Sequence, residues 1–163
     1  MIPFLQSITL ADNFEIDPLT FPSLRNASNL QGIIFTNMQA KKSFRLADLC
    51  IEQCKELGSI VLSGTLGIGI VPVKLNDSAV PQSWANLTKV SIVNFGNCGC
   101  SPVEVDELLK GFSDIISKGF GSAVITPKSI TINGINAKPT LTDTKVAEAK
   151  ANIVAKGWTL LTN

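Results

Sequence analysis

Four cysteines, Cys50, Cys54, Cys98 and Cys100, are the side chains of this 163-residue chain best suited to carry chemistry. Four thiols in one chain suit a zinc site or two disulfides. Their spacing is C-x3-C and C-x-C, whereas structural zinc sites usually build on C-x2-C. Cys50 and Cys54 fall one helical turn apart on the inward side of a predicted helix, and Asn97-Cys-Gly-Cys100 lies in a glycine-rich loop. The expected state is therefore that of buried free thiols, as is usual in the cytosol, with Cys98 and Cys100 the more exposed pair and open to oxidation. No metal is expected.

Two other clusters look chemical at first reading. Gly64-Thr-Leu-Gly-Ile-Gly69 has the glycines of a phosphate loop but lacks the Gly-Lys-Ser/Thr that reaches the phosphates, and it opens no helix. Glu104, Asp106 and Glu107 group three carboxylates, but they sit in the first turn of a predicted helix, where negative charge favours the positive end of the dipole. Histidine and tyrosine are absent. Missing histidine removes Ser-His-Asp and Cys-His catalysis, HExxH zinc sites and imidazole proton shuttles. The chain is expected not to be an enzyme and to need no cofactor.

Bulk composition narrows the partners. Lys plus Arg number 14 and Asp plus Glu 13, with no basic cluster beyond Lys41-Lys42, which disfavours nucleic acid. Apolar residues make up 45% and charged residues 17%, enough for one folded core. Met1 to Ile8 shows no basic start or long apolar run, so no signal peptide is expected. Ile60 to Val73 is too short and too broken by Gly64, Gly67, Gly69 and Pro72 to insert in a membrane.

The elements that must position these residues come from a repeat. Leu5-x-x-Ile8-x-Leu10-x-x-Asn13 is followed by Leu30-x-x-Ile33-x-Phe35-x-x-Met38 and Leu57-x-x-Ile60-x-Leu62-x-x-Thr65. A fourth copy reads Leu87-x-x-Val90-x-Ile92-x-x-Phe95, and a fifth Pro127-x-x-Ile130-x-Ile132-x-x-Ile135. A sixth reads Ala155-x-x-Trp158-x-Leu160-x-x-Asn163. Period-2 apolar residues make a short strand with one buried face, so strands are expected near 5–10, 30–35, 57–62, 87–92, 127–132 and 158–161. Repeated parallel strands need crossovers, which are right-handed by rule.

Three returns read as helices. Residues 43–56 carry Phe44, Leu46, Leu49, Ile51 and Cys54 mostly on one face. Residues 103–118 follow Ser101-Pro102, an N-cap and a first-turn proline, show the stripe Val105, Leu108, Leu109, Phe112, Ile115 and Ile116, and stop at Gly119. Residues 142–156 direct Val146, Ala149, Ile153 and Val154 inward and stop at Gly157. Pro18 and Pro22 argue against a long helix in Glu15 to Asn29, and Gly67 to Ala85 reads as loop with a short extra strand at 68–75.

The pattern resembles leucine-rich-repeat proteins over most of the chain. That likeness implies an α/β fold: one right-handed leucine-rich-repeat-like solenoid over residues 1–163, with a parallel sheet on one face and helices and loops on the other. Residues 103–163 resemble something narrower. Ile130-Thr-Ile-Asn-Gly-Ile135, the turn Asn136-Ala-Lys-Pro-Thr140, a helix and Ala155-Lys-Gly-Trp-Thr159 look like a closing module of repeat-containing surface and virion proteins of Bacteroidetes bacteria and their phages. The resemblance implies a scaffold or recognition role and no catalytic residue.

Outward strand positions then become the candidate contact surface: Ser7 and Thr9, Gly32 and Ile34, Ser59 and Val61, Lys89 and Ser91, Ser129 and Thr131. Met1, Ile2, Pro3 and Phe4 lead into the first strand without a capping element, and an uncapped repeat end invites a partner subunit. The expected function is a non-enzymatic bacteriophage virion protein, capsid-attached or part of a tail or fibre. It would be assembled in the host cytoplasm and would contact other virion proteins, copies of itself or a host surface receptor. The alternative is a cytoplasmic bacterial leucine-rich-repeat protein that binds one protein ligand.

Overall fold

The computed structural model describes residues 4–12, 15–16, 24, 27–40, 51, 53–66 and 84–163. The fold is α/β. Six parallel strands form one sheet: β1 (Ser7–Ala11), β3 (Gly32–Thr36), β5 (Ser59–Val61), β6 (Ile92–Asn94), β7 (Ser129–Ile132) and β8 (Thr159–Thr162). They lie side by side in chain order. A second, two-stranded parallel sheet pairs β2 (Glu15–Ile16) with β4 (Gln39–Ala40), and a bridge from Gln39 to Leu66 extends it. The residue pattern gave no expectation of this second ladder.

One frame of buried side chains runs through the units. Leu24, Ala27, Leu30, Ile33, Phe35 and Met38 recur as Ile51, Cys54, Leu57, Ile60, Leu62 and Thr65. They recur again as Trp84, Leu87, Val90, Val93, Phe95 and Cys98. Burial every third residue before the strand gives way to burial every second residue within it, the change expected when turns become extended chain. Backbone bonds mark the three-residue turns: Leu30 N–H to Ala27 O at 3.0 Å, Leu57 N–H to Cys54 O at 2.9 Å and Leu87 N–H to Trp84 O at 2.9 Å.

This frame corrects two copies. Ile60 pairs with Val93, so the fourth strand is 92–94 rather than 87–92. The run Trp84, Leu87, Val90, Val93 fits a Leu-x-x-Leu start in more than one place, and Ile92 supplied an apolar residue where the pattern wanted one. In the sixth copy Ile130 pairs with Leu160, not Trp158, and the strand is 159–162. Trp158 is buried just before the strand, stacked on Phe120 at 5.7 Å.

Two helices cover the core. In α1 (Pro102–Ser117), Ser101 is the N-cap of a full capping box: Glu104 N–H donates to its Oγ, and its own N–H donates to Glu104 Oε2 at 2.8 Å. All six residues of its apolar stripe are buried, and Phe112 joins Phe95 and Phe120, each with ring centres 5.9 Å away. In α2 (Thr144–Ala155), Asp143 is the N-cap, accepting from Lys145 N–H at 2.9 Å. Val146, Ala149 and Ile153 are buried, but Val154 is 58% exposed, because the neighbouring Ile153 already takes the inward position. Helix α2 packs on α1, where Asn152 Nδ2 donates to Ser113 Oγ at 2.8 Å and Ser117 Oγ at 3.0 Å.

The helix expected over 43–56 is not seen in its described part: residues 53–56 form turns, with Cys54 N–H bonded to Ile51 O. Residues 43–50 and 52, Cys50 included, lie outside the described residues, as does the extra strand at 68–75. Among the described residues no helix is long and apolar enough to cross a membrane.

Candidate functional site: the open face of the sheet

Because register is uniform, outward side chains line up in rows across the strands. One row is Ser7, Gly32, Ser59, Ile92, Ser129 and Thr159; the next is Thr9, Ile34, Val61, Asn94, Thr131 and Leu161. Neither row holds a charged residue. Ile34 and Val61 are direct neighbours, Ile92 lies diagonally beside Val61, and hydroxyl and amide side chains surround them. Ile92 is 44% and Leu161 48% exposed. The face can offer short hydrogen-bonding groups around an apolar centre.

Ser7, Thr9, Ile34, Ser59 and Val61 thus lie together on this face as expected. Lys89 and Ser91 do not, because the fourth strand starts later: Lys89 sits in the preceding turn, ion-paired to Glu56, and Ser91 N–H bonds Gly58 O at 2.9 Å. Ile92 and Asn94 take their places. Met1, Ile2 and Pro3 lie outside the described residues, while Phe4 is 88% exposed.

The rim beyond the strand ends was not anticipated. Asp12, Asn37, Gly64, Asn97 and Gly134 occupy one position in successive units, and each has positive φ, between 53° and 79°. Asn, Asp and Gly tolerate this left-handed conformation best. Each N–H but the last donates to a backbone carbonyl of the next unit: Asp12 to Thr36, Asn37 to Ser63, Gly64 to Gly96 and Asn97 to Asn133, all at 2.9–3.1 Å. The side chain of Asn37 lies over Gly64 and that of Asn97 over Gly134, so a side chain in one unit fills the space glycine leaves in the next. The sequence signal was present, one residue before the asparagine position of the repeat pattern.

The three described thiols are packed in the core. Cys98 and Cys100 are free and both buried, which corrects their expected exposure: Cys98 occupies the inward position of its unit. Cys98 Sγ donates to Leu62 O at 3.0 Å. Burial pushes both thiols up to about 12, from 9.0, disfavouring the thiolate that metal binding or attack requires. Cys54 is buried and its Sγ donates to Leu24 O at 3.2 Å. Among the described residues no group of three or more Cys, Asp or Glu is placed to hold a metal ion.

The three carboxylates each have a structural partner. Glu104 closes the capping box, Asp106 accepts from Thr140 N–H at 2.8 Å, and Glu107 lies 3.8 Å from Lys110. The Asp106 bond anchors the turn 136–140 on α1, and Asn136 pins its start, accepting from Cys100 N–H and donating to Phe95 O. Lys110 also reaches Asp143 at 3.0 Å; this hydrogen bond raises the lysine and lowers the carboxyl relative to their ordinary values. Set against known protein families, curated proteins and solved structures, the chain matches none.

Proposed function

We propose that this chain is a right-handed leucine-rich-repeat-like solenoid acting as a non-enzymatic structural protein of a bacteriophage virion. It is capsid-attached or part of a tail or fibre, and it works by protein–protein contact. The observation that carries the contact role is the pair of charge-free rows on the open sheet face, with Ile34, Val61 and Ile92 at its centre. An apolar centre rimmed by uncharged polar groups is the composition of a contact patch rather than of a merely solvated surface, because charge is depleted at interface cores. Strands that follow one another in chain order with a single register support the solenoid reading. The virion assignment rests on the resemblance of residues 103–163 to closing modules of phage and bacterial repeat proteins.

Phage particles banded in a density gradient and probed with an antibody to the chain test this reading. The expected result is co-migration with particles in fixed copy number, lost on Val61→Lys or Ile92→Lys with folding retained. A chain found only in the soluble host fraction, bound to a single protein, would replace the virion reading with that of a cytoplasmic ligand-binding protein.

A further inference from the structure

We propose that copies of this chain add head to tail, β8 of one copy pairing in parallel with β1 of the next. This rests on the reading of the chain as an assembly protein. The first ground is the state of the two terminal strands. Core-side residues of the inner strands, such as Ile33, Ile60, Val93 and Ile130, are fully buried, while Ile8, Leu10 and Leu160 are only partly so. Core-side apolar residues of both terminal strands are therefore partly open to solvent. Among the described residues, β1 pairs only with β3 and β8 only with β7.

The second ground is the polarity of the peptide groups. Asp12 N–H donates to Thr36 O, so by alternation Ile8 and Leu10 also face β3, leaving the groups of Ser7, Thr9 and Ala11 directed outward. Thr159 N–H donates to Lys128 O, so Leu160 and Thr162 direct theirs away from β7. Each inner strand offers core-facing residues to its successor and outward-facing residues to its predecessor. Strands β8 and β1 offer this same complementary pair, in the register that places Leu160 beside Ile8 and Leu161 beside Thr9.

Charge complements this arrangement. Asp12 stands at the exposed end of β1, while Lys150 reaches the β8 edge, with Nζ 3.0 Å from Thr162 Oγ1. Pairing β8 with β1 in parallel sets Lys150 of one copy near Asp12 of the next. An extended peptide would satisfy either edge but would bring no second layer to cover the apolar residues beneath it. A head-to-tail contact leaves both outer ends free, so it grows into a filament or closes into a ring.

Thr9→Cys and Leu161→Cys place thiols on the open face at positions the register sets opposite each other, away from the core. Mixed under glutathione disulfide, the two variants are expected to give a crosslinked two-copy product that neither gives alone, with wild type as the thiol control. Wild-type mass in sedimentation is expected to rise with concentration in single-copy steps. Thr9→Pro, which removes an outward N–H and no internal ladder bond, is expected to stay monomeric with an unchanged Tm. Disulfides dominated by Thr9→Cys with itself, or Leu161→Cys with itself, would overturn the head-to-tail geometry. A wild-type monomer at millimolar concentration would overturn self-addition altogether, yet leave particle association, which is measured separately, standing.

Discussion

Asn163 holds Gly134 from both sides: its Oδ1 accepts from Gly134 N–H at 3.1 Å, and its Nδ2 donates to Gly134 O at 2.9 Å. The same Nδ2 contacts Asn136 O. In earlier units the N–H of the left-handed residue finds a backbone carbonyl in the next unit. Here a side chain supplies the acceptor. Asn163→Ala is expected to destabilise the fold by about 1–3 kcal/mol for the two bonds to Gly134, at roughly 0.5–1.5 kcal/mol net per hydrogen bond. Asn163→Asp keeps the acceptor, loses the donor and should fall between. Urea unfolding of the three proteins checks the order.

Gly134 itself tests the interlock between units. A Cβ there would lie 1.8 Å from Asn97 Oδ1, on a backbone with φ of 79°. The left-handed conformation alone costs a non-glycine residue ~1–2 kcal/mol, and the clash adds to it. Asn97→Gly removes the clash but also the bond that Asn97 Oδ1 accepts from Ile135 N–H. The double variant Asn97→Gly, Gly134→Ala is therefore expected to be more stable than the sum of the single losses implies, with coupling of about 1 kcal/mol or more. Additivity within error would mean the two residues do not interlock.

Thr65 points the opposite way. Its Oγ1 is fully buried and has no hydrogen-bond partner among the described residues, at a position held by Met38 and Cys98 in the adjoining units. An unmet buried hydroxyl costs about 1–3 kcal/mol. Thr65→Val is expected to raise stability by ~1 kcal/mol, seen as a higher Tm; a loss of that size would show that the hydroxyl is satisfied in solution.

The buried thiols set a pH dependence. Cys98 and Cys100 ionise at about 12 when folded, against 9.0 for an ordinary thiol. With the folded value raised, their contribution is complete below pH 9 and is lost as pH rises toward 12. The urea midpoint should drop more steeply above pH 9 in wild type than in Cys98→Ala, Cys100→Ala. At pH 8 both thiols should react with iodoacetamide no faster than the chain unfolds.

The alternation of buried residues made most strands legible, and capping chemistry placed α1 and α2 within a residue or two. What the pattern lacked was an anchor for its frame. A three-residue apolar period admits several registers, one of which puts Lys89 and Ser91 on the strand; they precede it. Asn97, a left-handed residue matching Asp12, Asn37 and Gly64, fixes the register that hydrophobicity alone leaves open. The β2–β4 ladder was illegible for another reason: two-residue strands are held by neighbouring units and carry no period of their own.

That small ladder has a mechanical consequence. Neighbouring strands lie roughly 4.8 Å apart, whereas packed helices lie about 8–10 Å apart. Beyond β1 and β3 of the main sheet, β2 and β4 pair in the same order, so both ladders advance by equal steps there. Where α1 and α2 back the main sheet, the rear takes the wider step, and the strands in front must fan inward. A stack whose rear takes a narrow step at one end and a wide step at the other is expected to bend at the helical end, where β6, β7 and β8 lie.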